Sequence, residues 1–336
     1  MAFLRGFCIW IIATILLASA ACSYVPAPDP DDVSDPVPIV GFCQLGEESD
    51  WRVANTQSII DAAQESGVQL MYENAQQKLE NQIKAIRSFI AYKVDAIVLA
   101  PIVETGWEAV LAEAMEAGIP VILEDRRLTD APEGAVVAWV GSDFEAEGRK
   151  AAAEVLSAFR DTEGQINIVE LRGTHGSTAS ERRAAGFRQT LGQRTRYNII
   201  KSVSGDFMVS KGREAMRDVL DQIGADSIDV LFAHNDDMAI GAIEVLEEYG
   251  LVPGKDVFIV TVDAQEKARE LVQQGRINVA IECNPDIGPA VLEIVQDVLA
   301  GRNVPTDTYS QEGIVTVPPS KVPSTPPSGS APGNRH

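Results

Sequence analysis

Residues 94–125 read VDAIVLAPIVETGWEAVLAEAMEAGIPVILED, and this stretch decides the fold. It opens with a short run rich in Val and Ile and continues through GWEAVLAEAMEAG, whose apolar residues recur at spacings of three and four. It closes with a second short run, IPVILED. Short apolar runs predict buried strands, and the three-and-four spacing predicts an amphipathic helix. Strand, helix and strand in this order indicate two parallel strands joined by a crossover helix.

The same unit repeats along the chain from Pro38 onward. The strand candidates, which alternate with helical segments, are PIVGFC, VQLMY, VDAIVLAP, IPVILED, VVAWVGS, INIVELRG, NIIKSVS, DVLFAHND, VFIVTVD and NVAIEC. This alternation predicts an α/β protein with doubly wound parallel sheets that helices cover on both faces. Ten strands are too many for one compact open sheet of this length, so we expect two lobes.

Polar side chains end almost every predicted strand. They are Gln44, Asp125, Arg126, Ser142, Asp143, Asn235, Asp236, Asp237, Asp263 and Glu282. In open α/β sheets a ligand lies outside the carboxyl ends of the strands, so these residues are candidates for a binding site. Helix capping is the alternative explanation. It accounts well for Ser142 and Asp237 and badly for Arg126 and Glu282.

The two ends of the chain differ from the repeated region. Residues 1–22 hold one Arg, an apolar run and small residues before Cys22, which predicts a secretory signal. The small residues resemble a bacterial lipoprotein signal, so Cys22 is the expected lipidation site; an ordinary cleaved signal is the alternative. Residues 23–37, rich in Pro and Asp, are predicted to form an extended tether, and residues 318–336 a disordered tail.

The net charge of −21 argues against nucleic acid as a partner, because phosphate binding requires clustered Lys and Arg. No GxGxxG follows a first strand and no GxxxxGK[ST] occurs, so a nucleotide-using enzyme is a distant alternative. Only three His are present, which leaves no evident acid/base or metal cluster. We therefore expect no catalytic residues, no cofactor and no metal. Cys43 and Cys283 are left as either free thiols or a disulfide.

Several segments together resemble one family. They are IPVILEDR, VELRGTHGSTASERRAAGF, SGDFMVSKG, LFAHNDDMAIGAIEVLEEYGL, VTVDA and AIECNPDIG. Their order and spacing resemble those of the ribose-type, or type I, periplasmic sugar-binding proteins of ABC importers. GFCQLGEESDWR and APIVETGWEAVL are similar to the galactofuranose-binding branch, since ribose binders typically have two adjacent Phe where this chain has Trp51 and Arg52.

The resemblance implies two Rossmann-like lobes joined by three hinge crossings. The N-lobe would comprise residues 38–142 and 283–303, and the C-lobe residues 143–282 and 304–317. It also implies a ligand between the lobes, bound by Gln44, Glu48, Trp51, Arg52, Asp125, Arg126, Arg183, Phe207, Asn235, Asp263 and Glu282. Closure by hinge bending is the motion of the class.

These residue types suit a sugar. A hydroxyl both donates and accepts, and leaving one unpaired in a buried site costs roughly 1–3 kcal/mol. Carboxylates and guanidinium groups meet both needs with strong bonds, while Trp51 and Phe207 would cover C–H faces. Packing in the core is the alternative for both aromatic residues and for Trp107. The acidic turn at Glu47, Glu48 and Asp50 lacks the spacing of a calcium loop.

The predicted function is therefore capture of a monosaccharide, galactofuranose or a similar furanose, by a monomeric extracytoplasmic lipoprotein. Its partners would be the sugar, the permease subunits of an ABC importer and the membrane that holds its lipid anchor. Presentation of a sugar to a membrane sensor or chemoreceptor is the alternative. The residues do not specify which sugar, anomer or ring form binds.

Overall fold

The computed structural model describes residues 36–316. The predicted signal peptide, lipidation site, nearly all of the tether and the tail lie outside the described residues. None of the helices in the described range is long and apolar enough to cross a membrane.

The described chain contains twelve strands. They are β1 (Ile39–Gln44), β2 (Gln69–Asn74), β3 (Ala96–Leu99), β4 (Val121–Glu124), β5 (Val136–Gly141), β6 (Ile166–Arg172), β7 (Tyr197–Ser204), β8 (Val230–Ala233), β9 (Phe258–Asp263), β10 (Val279–Glu282), β11 (Asp307–Tyr309) and β12 (Ile314–Thr316).

Nine α-helices lie between these strands within residues 36–316. They are α1 (Asp50–Glu65), α2 (Leu79–Tyr92), α3 (Glu108–Glu116), α4 (Phe144–Ala158), α5 (Thr178–Leu191), α6 (Val209–Ile223), α7 (Asp236–Glu248), α8 (Glu266–Gln273) and α9 (Gly288–Leu299).

The strands form two six-stranded sheets, ordered β11-β5-β4-β3-β1-β2 and β12-β10-β9-β8-β6-β7. All neighbours are parallel except β12, which runs antiparallel to β10. The ten strands predicted from the sequence are all present, five in each sheet. The predicted two-lobed α/β fold is confirmed.

Helices cover both faces of the first sheet. Successive side chains of a strand point to opposite faces, and here both sets are apolar and need cover. On β1, Val40 and Phe42 pack into one apolar cluster and Cys43 packs into another on the opposite face. A parallel sheet buried on both faces needs such continuous apolar runs. Trp107 packs in the second of these clusters, where its indole N–H donates to the Val103 carbonyl at 2.9 Å. The packing alternative is therefore the correct one for Trp107.

The chain crosses between the lobes three times, after β5, after β10 and after β11. The expectation that residues 304–317 belong wholly to the second lobe differs from the structure, because β11 pairs with β5 of the first sheet. Tyr309 of β11 lies edge-on to Trp139, with ring centroids 5.1 Å apart, and so covers the edge of β5. Only β12 joins the second sheet. A three-residue strand, DTY, carries no apolar run that sequence patterning can detect.

Candidate functional site

A cavity of about 270 Å³, including its opening, lies between the two sheets at the carboxyl ends of their strands. Nine of the eleven predicted binding residues line it: Glu48, Trp51, Arg52, Asp125, Arg126, Arg183, Phe207, Asn235 and Asp263. All nine are buried, so the lobes are closed over the cavity. The part of this volume that the centre of a water molecule can reach is about 20 Å³, so the cavity is narrow in this closed form.

The N-terminus of α1 positions the first-lobe side chains. Ser49 caps this helix, and its hydroxyl accepts from the Arg52 backbone N–H at 3.1 Å. The cap places Trp51 and Arg52 in the first turn, at the cavity wall. The Arg52 guanidinium donates to Asp125, which follows β4 with a φ of +57°. Asp tolerates this left-handed conformation better than most residues.

Arg126 joins the two lobes across the cavity. It donates to the Glu48 carboxylate at 2.5 Å and to the Ile102 carbonyl at 3.2 Å, both in the first lobe. Its guanidinium carbon lies 5.2 Å from the ring centre of Phe207 in the second lobe. This distance is within range of a cation–π attraction, which adds to the contact between the lobes.

Arg183, on α5, lines the second-lobe side. Its Nε donates to Glu147 at 2.6 Å and its Nη1 to the His234 carbonyl at 2.7 Å. Nη2 lies 3.8 Å from the Asp263 carboxylate. These fixed partners hold the guanidinium in one orientation, so the rest of its donor edge is preorganised towards the cavity.

Phe207 adopts a φ of +65°, which is an outlier for a bulky residue. The Asn235 amide donates to the Phe207 carbonyl at 3.0 Å and its oxygen accepts from the Met238 backbone N–H at 3.1 Å. Gly173 lies against the ring, since a Cβ there would stand 1.9 Å from the Phe207 Cζ. The strained conformation is thus held in place by neighbouring groups, as is common at functional sites.

Burial shifts the titration of several carboxyl groups around the cavity. Desolvation raises the pKa of Asp263 well above its ordinary value, although Arg183 acts in the opposite direction. Behind the first-lobe wall, desolvation raises the pKa of Glu124 to about 7, against the effect of Arg52. Burial alone would lower the pKa of Arg52, but the carboxylates of Asp125 and Glu48 raise it overall. The Arg52 guanidinium therefore stays charged.

The cavity wall holds three guanidinium groups and three carboxyl groups. The guanidinium groups are those of Arg52, Arg126 and Arg183, and the carboxyl groups are those of Glu48, Asp125 and Asp263. Each guanidinium has at least one of these carboxyl groups, or Glu147 behind the wall, within 4.0 Å. Such a wall offers strong hydrogen-bond donors and acceptors side by side, which suits a polar ligand with several hydroxyl groups.

Two predicted binding residues do not line the cavity. Gln44 lies behind the wall, where its amide donates to Asn55 at 3.0 Å and to Thr56 at 3.1 Å and so supports α1. Glu282 is partly exposed, pairs with Arg269 at 2.7 Å and accepts from the Gly313 backbone N–H. The structure therefore does not bring these two predicted side chains to the cavity wall.

The turn that follows β8 differs from expectation in its details. Asn235, and not Asp237, is the N-cap of α7. Asp236 accepts from the Gln265 backbone N–H at 2.7 Å, and His234 lies 3.2 Å from Glu170 in the core. At the start of α4 the cap is Asp143, whereas Ser142 lies at the first crossing.

Direct contacts close the mouth of the cavity at two places. On one side, the Asp237 carboxylate accepts from the Asp50 backbone N–H at 3.3 Å. On the other, the Thr178 hydroxyl accepts from the Arg127 N–H at 2.9 Å and donates to the Arg127 carbonyl at 3.0 Å. Each contact joins residues from different lobes. Separation of the lobes would break both contacts and widen the opening of the cavity.

Three residues at this site were not predicted from the sequence. Ser49 and Ala179 line the cavity, and Gly173 makes room for Phe207. A Ser three residues before Arg52 is a capping signal that could have identified Ser49. Cys43 and Cys283 are both buried free thiols, so the disulfide alternative is wrong.

Comparisons with known proteins agree with this fold. Residues 40–303 match the family model described as a periplasmic binding protein domain. The chain belongs to this family. It is 40% identical to the galactofuranose-binding protein YtfQ of Escherichia coli over 254 residues. This aligned region covers 75% of this chain and 79% of that protein.

Two solved structures are also similar. A Mycobacterium smegmatis protein in complex with β-D-fucofuranose has a TM-score of 0.81 and 40% identity, over 83% of this chain and 91% of that one. The second is the binding component of an arabinose ABC transporter from Shewanella sp. ANA-3, bound to L-arabinofuranose. It has a TM-score of 0.79 and 38% identity, over 83% of this chain and 91% of that one.

Membership of this family confirms two expectations. The family consists of binding proteins, so the protein is a binding protein and not an enzyme. It is also a family of periplasmic proteins, which confirms the extracytoplasmic location at that level.

Proposed function

We propose that the protein captures one neutral monosaccharide in its furanose form, galactofuranose foremost, and delivers it to an ABC importer. The observation that carries this proposal is the closed cavity between the lobes. Arg52 and Asp125 from one lobe and Arg183 from the other present paired charged groups to the same space. A ligand with many hydroxyls satisfies such a wall without leaving buried donors unpaired.

The charge of the wall favours a neutral sugar over a uronic acid or a sugar phosphate. Every guanidinium already has a carboxylate partner, as described above. An added negative charge would be buried close to the carboxyl groups of Glu48 and Asp125. Burying a charge without a partner is costly.

The similar proteins support the furanose form. Those at about 40% identity are described with galactofuranose, fucofuranose or arabinofuranose. The first is named a galactofuranose-binding protein, and the third is described as the binding component of an arabinose ABC transporter. Trp51 and Phe207, one from each lobe, would cover the two faces of one small ring.

A calorimetric panel tests this function. D-galactose, L-arabinose, D-fucose, D-fructose and D-ribose would be titrated into the protein, with D-galacturonate as the charged partner of galactose. At least one neutral sugar should bind with micromolar or tighter affinity, and galacturonate should not. Stabilisation by a nucleotide with no response to any sugar would contradict the proposal.

We also propose that Cys22 carries the lipid anchor. The supporting features are the small residues that precede it and the Pro- and Asp-rich segment that follows. Replacing Cys22 by Ala should move the protein from the membrane fraction to the soluble one, measured by fractionation and immunoblotting. Continued association of the variant with membranes would contradict the assignment.

A further inference from the structure

The three crossings between the lobes bring a second polar cluster together, separate from the sugar cavity. Cys283 lies at the second crossing and Glu312 at the third, and Glu147 lies in the first turn of α4. The Sγ of Cys283 and one carboxylate oxygen from each Glu all lie within 4.8 Å of one another. Ser142, at the first crossing, donates to Glu312 and lies 3.4 Å from the Cys283 Sγ.

Glu147 brings an unsatisfied group to this cluster. Its side chain is fully buried, and Oε2 accepts from Arg183 at 2.6 Å. Oε1 is also buried, and the donor that faces it is the Cys283 thiol, which is a weak donor. A buried carboxylate oxygen without a strong partner is poorly satisfied, and a bound ion would supply that partner.

The donor set selects the chemistry of such an ion. A thiolate and two carboxylates are typical ligands of Zn²⁺, whereas Ca²⁺ and Mg²⁺ take oxygen ligands only. Zn²⁺ bonds of about 2.0–2.3 Å bring three ligand atoms to within about 4 Å of one another, so small side-chain shifts would complete the site. Glu312 is partly exposed and gives the ion a route from solvent.

We propose that Glu147, Cys283 and Glu312 bind a thiophilic divalent cation, Zn²⁺ or a close analogue, at the hinge. Three protein ligands leave the fourth tetrahedral position for water or the Ser142 hydroxyl. Two of the ligands lie on crossings that must bend when the lobes separate. The cation would therefore tie the moving segments to α4.

The test is a metal titration of the purified full chain and two ligand variants, Cys283→Ser and Glu312→Gln. ZnCl₂ binding would be measured by calorimetry, and CdCl₂ binding by the ultraviolet charge-transfer band of a cadmium thiolate. Cys43→Ser is the matched control, because Cys43 is equally buried but lies in the core of the first lobe. Thermal unfolding without metal checks that each variant folds.

The wild-type chain should bind one equivalent of Zn²⁺ that Cys283→Ser loses or binds at least about tenfold more weakly. Glu312→Gln should weaken the same equivalent, and Cys43→Ser should retain it. If Cys283→Ser does not fold, Glu312→Gln decides the question. The proposal is overturned if the wild type binds neither metal, or if both ligand variants bind as Cys43→Ser does.

Discussion

At the scale of single residues, Phe207 depends on one glycine that does not line the cavity. The Phe207 ring lies against Gly173, where any side chain would overlap it. The φ of Gly173 is not in the left-handed region, so alanine fits the backbone and only the ring must give way. Gly173 therefore acts as a positioning residue for the aromatic wall.

Gly173→Ala should weaken sugar binding at least about tenfold, because overpacking of this kind costs about 1–3 kcal/mol and displaces the ring. Calorimetry with the best sugar of the panel measures the effect. Glu163→Ala, an exposed substitution in the turn before β6, is the control. Equal sugar affinities of the two variants would show that Gly173 does not position the Phe207 ring for binding.

Asp237 should make sugar affinity depend on pH. Burial and the nearby carboxylate of Asp50 raise the pKa of Asp237 to about 7 in the closed form, from the ordinary 3.8. In an open form, where Asp237 faces water, its pKa returns towards the ordinary value, so closing takes up a proton. Protonated Asp237 therefore stabilises the closed form fully below about pH 4, and this stabilisation is lost as the pH rises through about 7.

Affinity should therefore fall at least about threefold between pH 5 and pH 8, and Asp237→Asn should show a clearly smaller fall. Calorimetry at both pH values gives the ratio of the affinity at pH 5 to that at pH 8 for the wild type and for the variant. Asp218→Asn, an exposed substitution on α6, is the matched control and should behave like the wild type. If the sugar affinity of Asp237→Asn falls between pH 5 and pH 8 as much as that of the wild type, Asp237 does not titrate on closing.

The sequence predicted most of the cavity wall because charged and aromatic residues at strand ends have few structural uses. Arg126 and Asp263 belong to this group, and both line the cavity. It failed for Glu282, which pairs in register with Asp263 at the ends of adjacent strands. Register fixes which residues are neighbours, but the turn that follows decides where each side chain points.

At the scale of elements, the start of α5 holds the lobes together without contacting the cavity. Thr178, its first residue, both accepts from and donates to the backbone of Arg127 on the other lobe. Two residues earlier, the Gly176 carbonyl accepts from the Glu104 N–H at 2.9 Å. These bonds exist only between closed lobes, so they should slow release of the sugar.

Thr178→Val keeps the shape of the side chain and removes both hydroxyl bonds. We expect about 1 kcal/mol weaker binding, roughly fivefold, expressed mainly as faster sugar release in stopped-flow fluorescence. Thr190→Val, on the same helix but away from the first lobe, is the control. Identical release rates in the two variants would mean that this contact does not hold the cleft closed.

The short strand β11 marks the limit of element prediction. Long apolar runs such as those of β1 and β3 are visible in the sequence because burial on both faces demands them. The position of β11 depends on Tyr309 meeting Trp139, which is a contact between residues 170 positions apart. Patterning along the chain carries no information on such a contact.

At the scale of the whole molecule, the sequence predicted two lobes and three crossings because strand count and family resemblance agreed. It could not predict the hinge cluster, since Glu147, Cys283 and Glu312 are brought together only by the crossings. The central claim is that both lobes bind the same sugar. Asp125 and Arg183 represent the two sides of the cavity.

One calorimetric experiment tests this claim most directly, with the best sugar titrated into Asp125→Ala, Arg183→Ala and the control Glu248→Ala. The control removes an exposed carboxylate that pairs only with Arg213 and Arg217 among the described residues. Because Arg183→Ala also leaves Glu147 without its partner, thermal unfolding would be recorded on each sample. The account predicts that each cavity variant loses at least about 2 kcal/mol, roughly thirtyfold, and the control less than about 0.5 kcal/mol. Normal binding by a folded Arg183→Ala variant, with binding lost in Asp125→Ala, would place the sugar on one lobe and contradict the account.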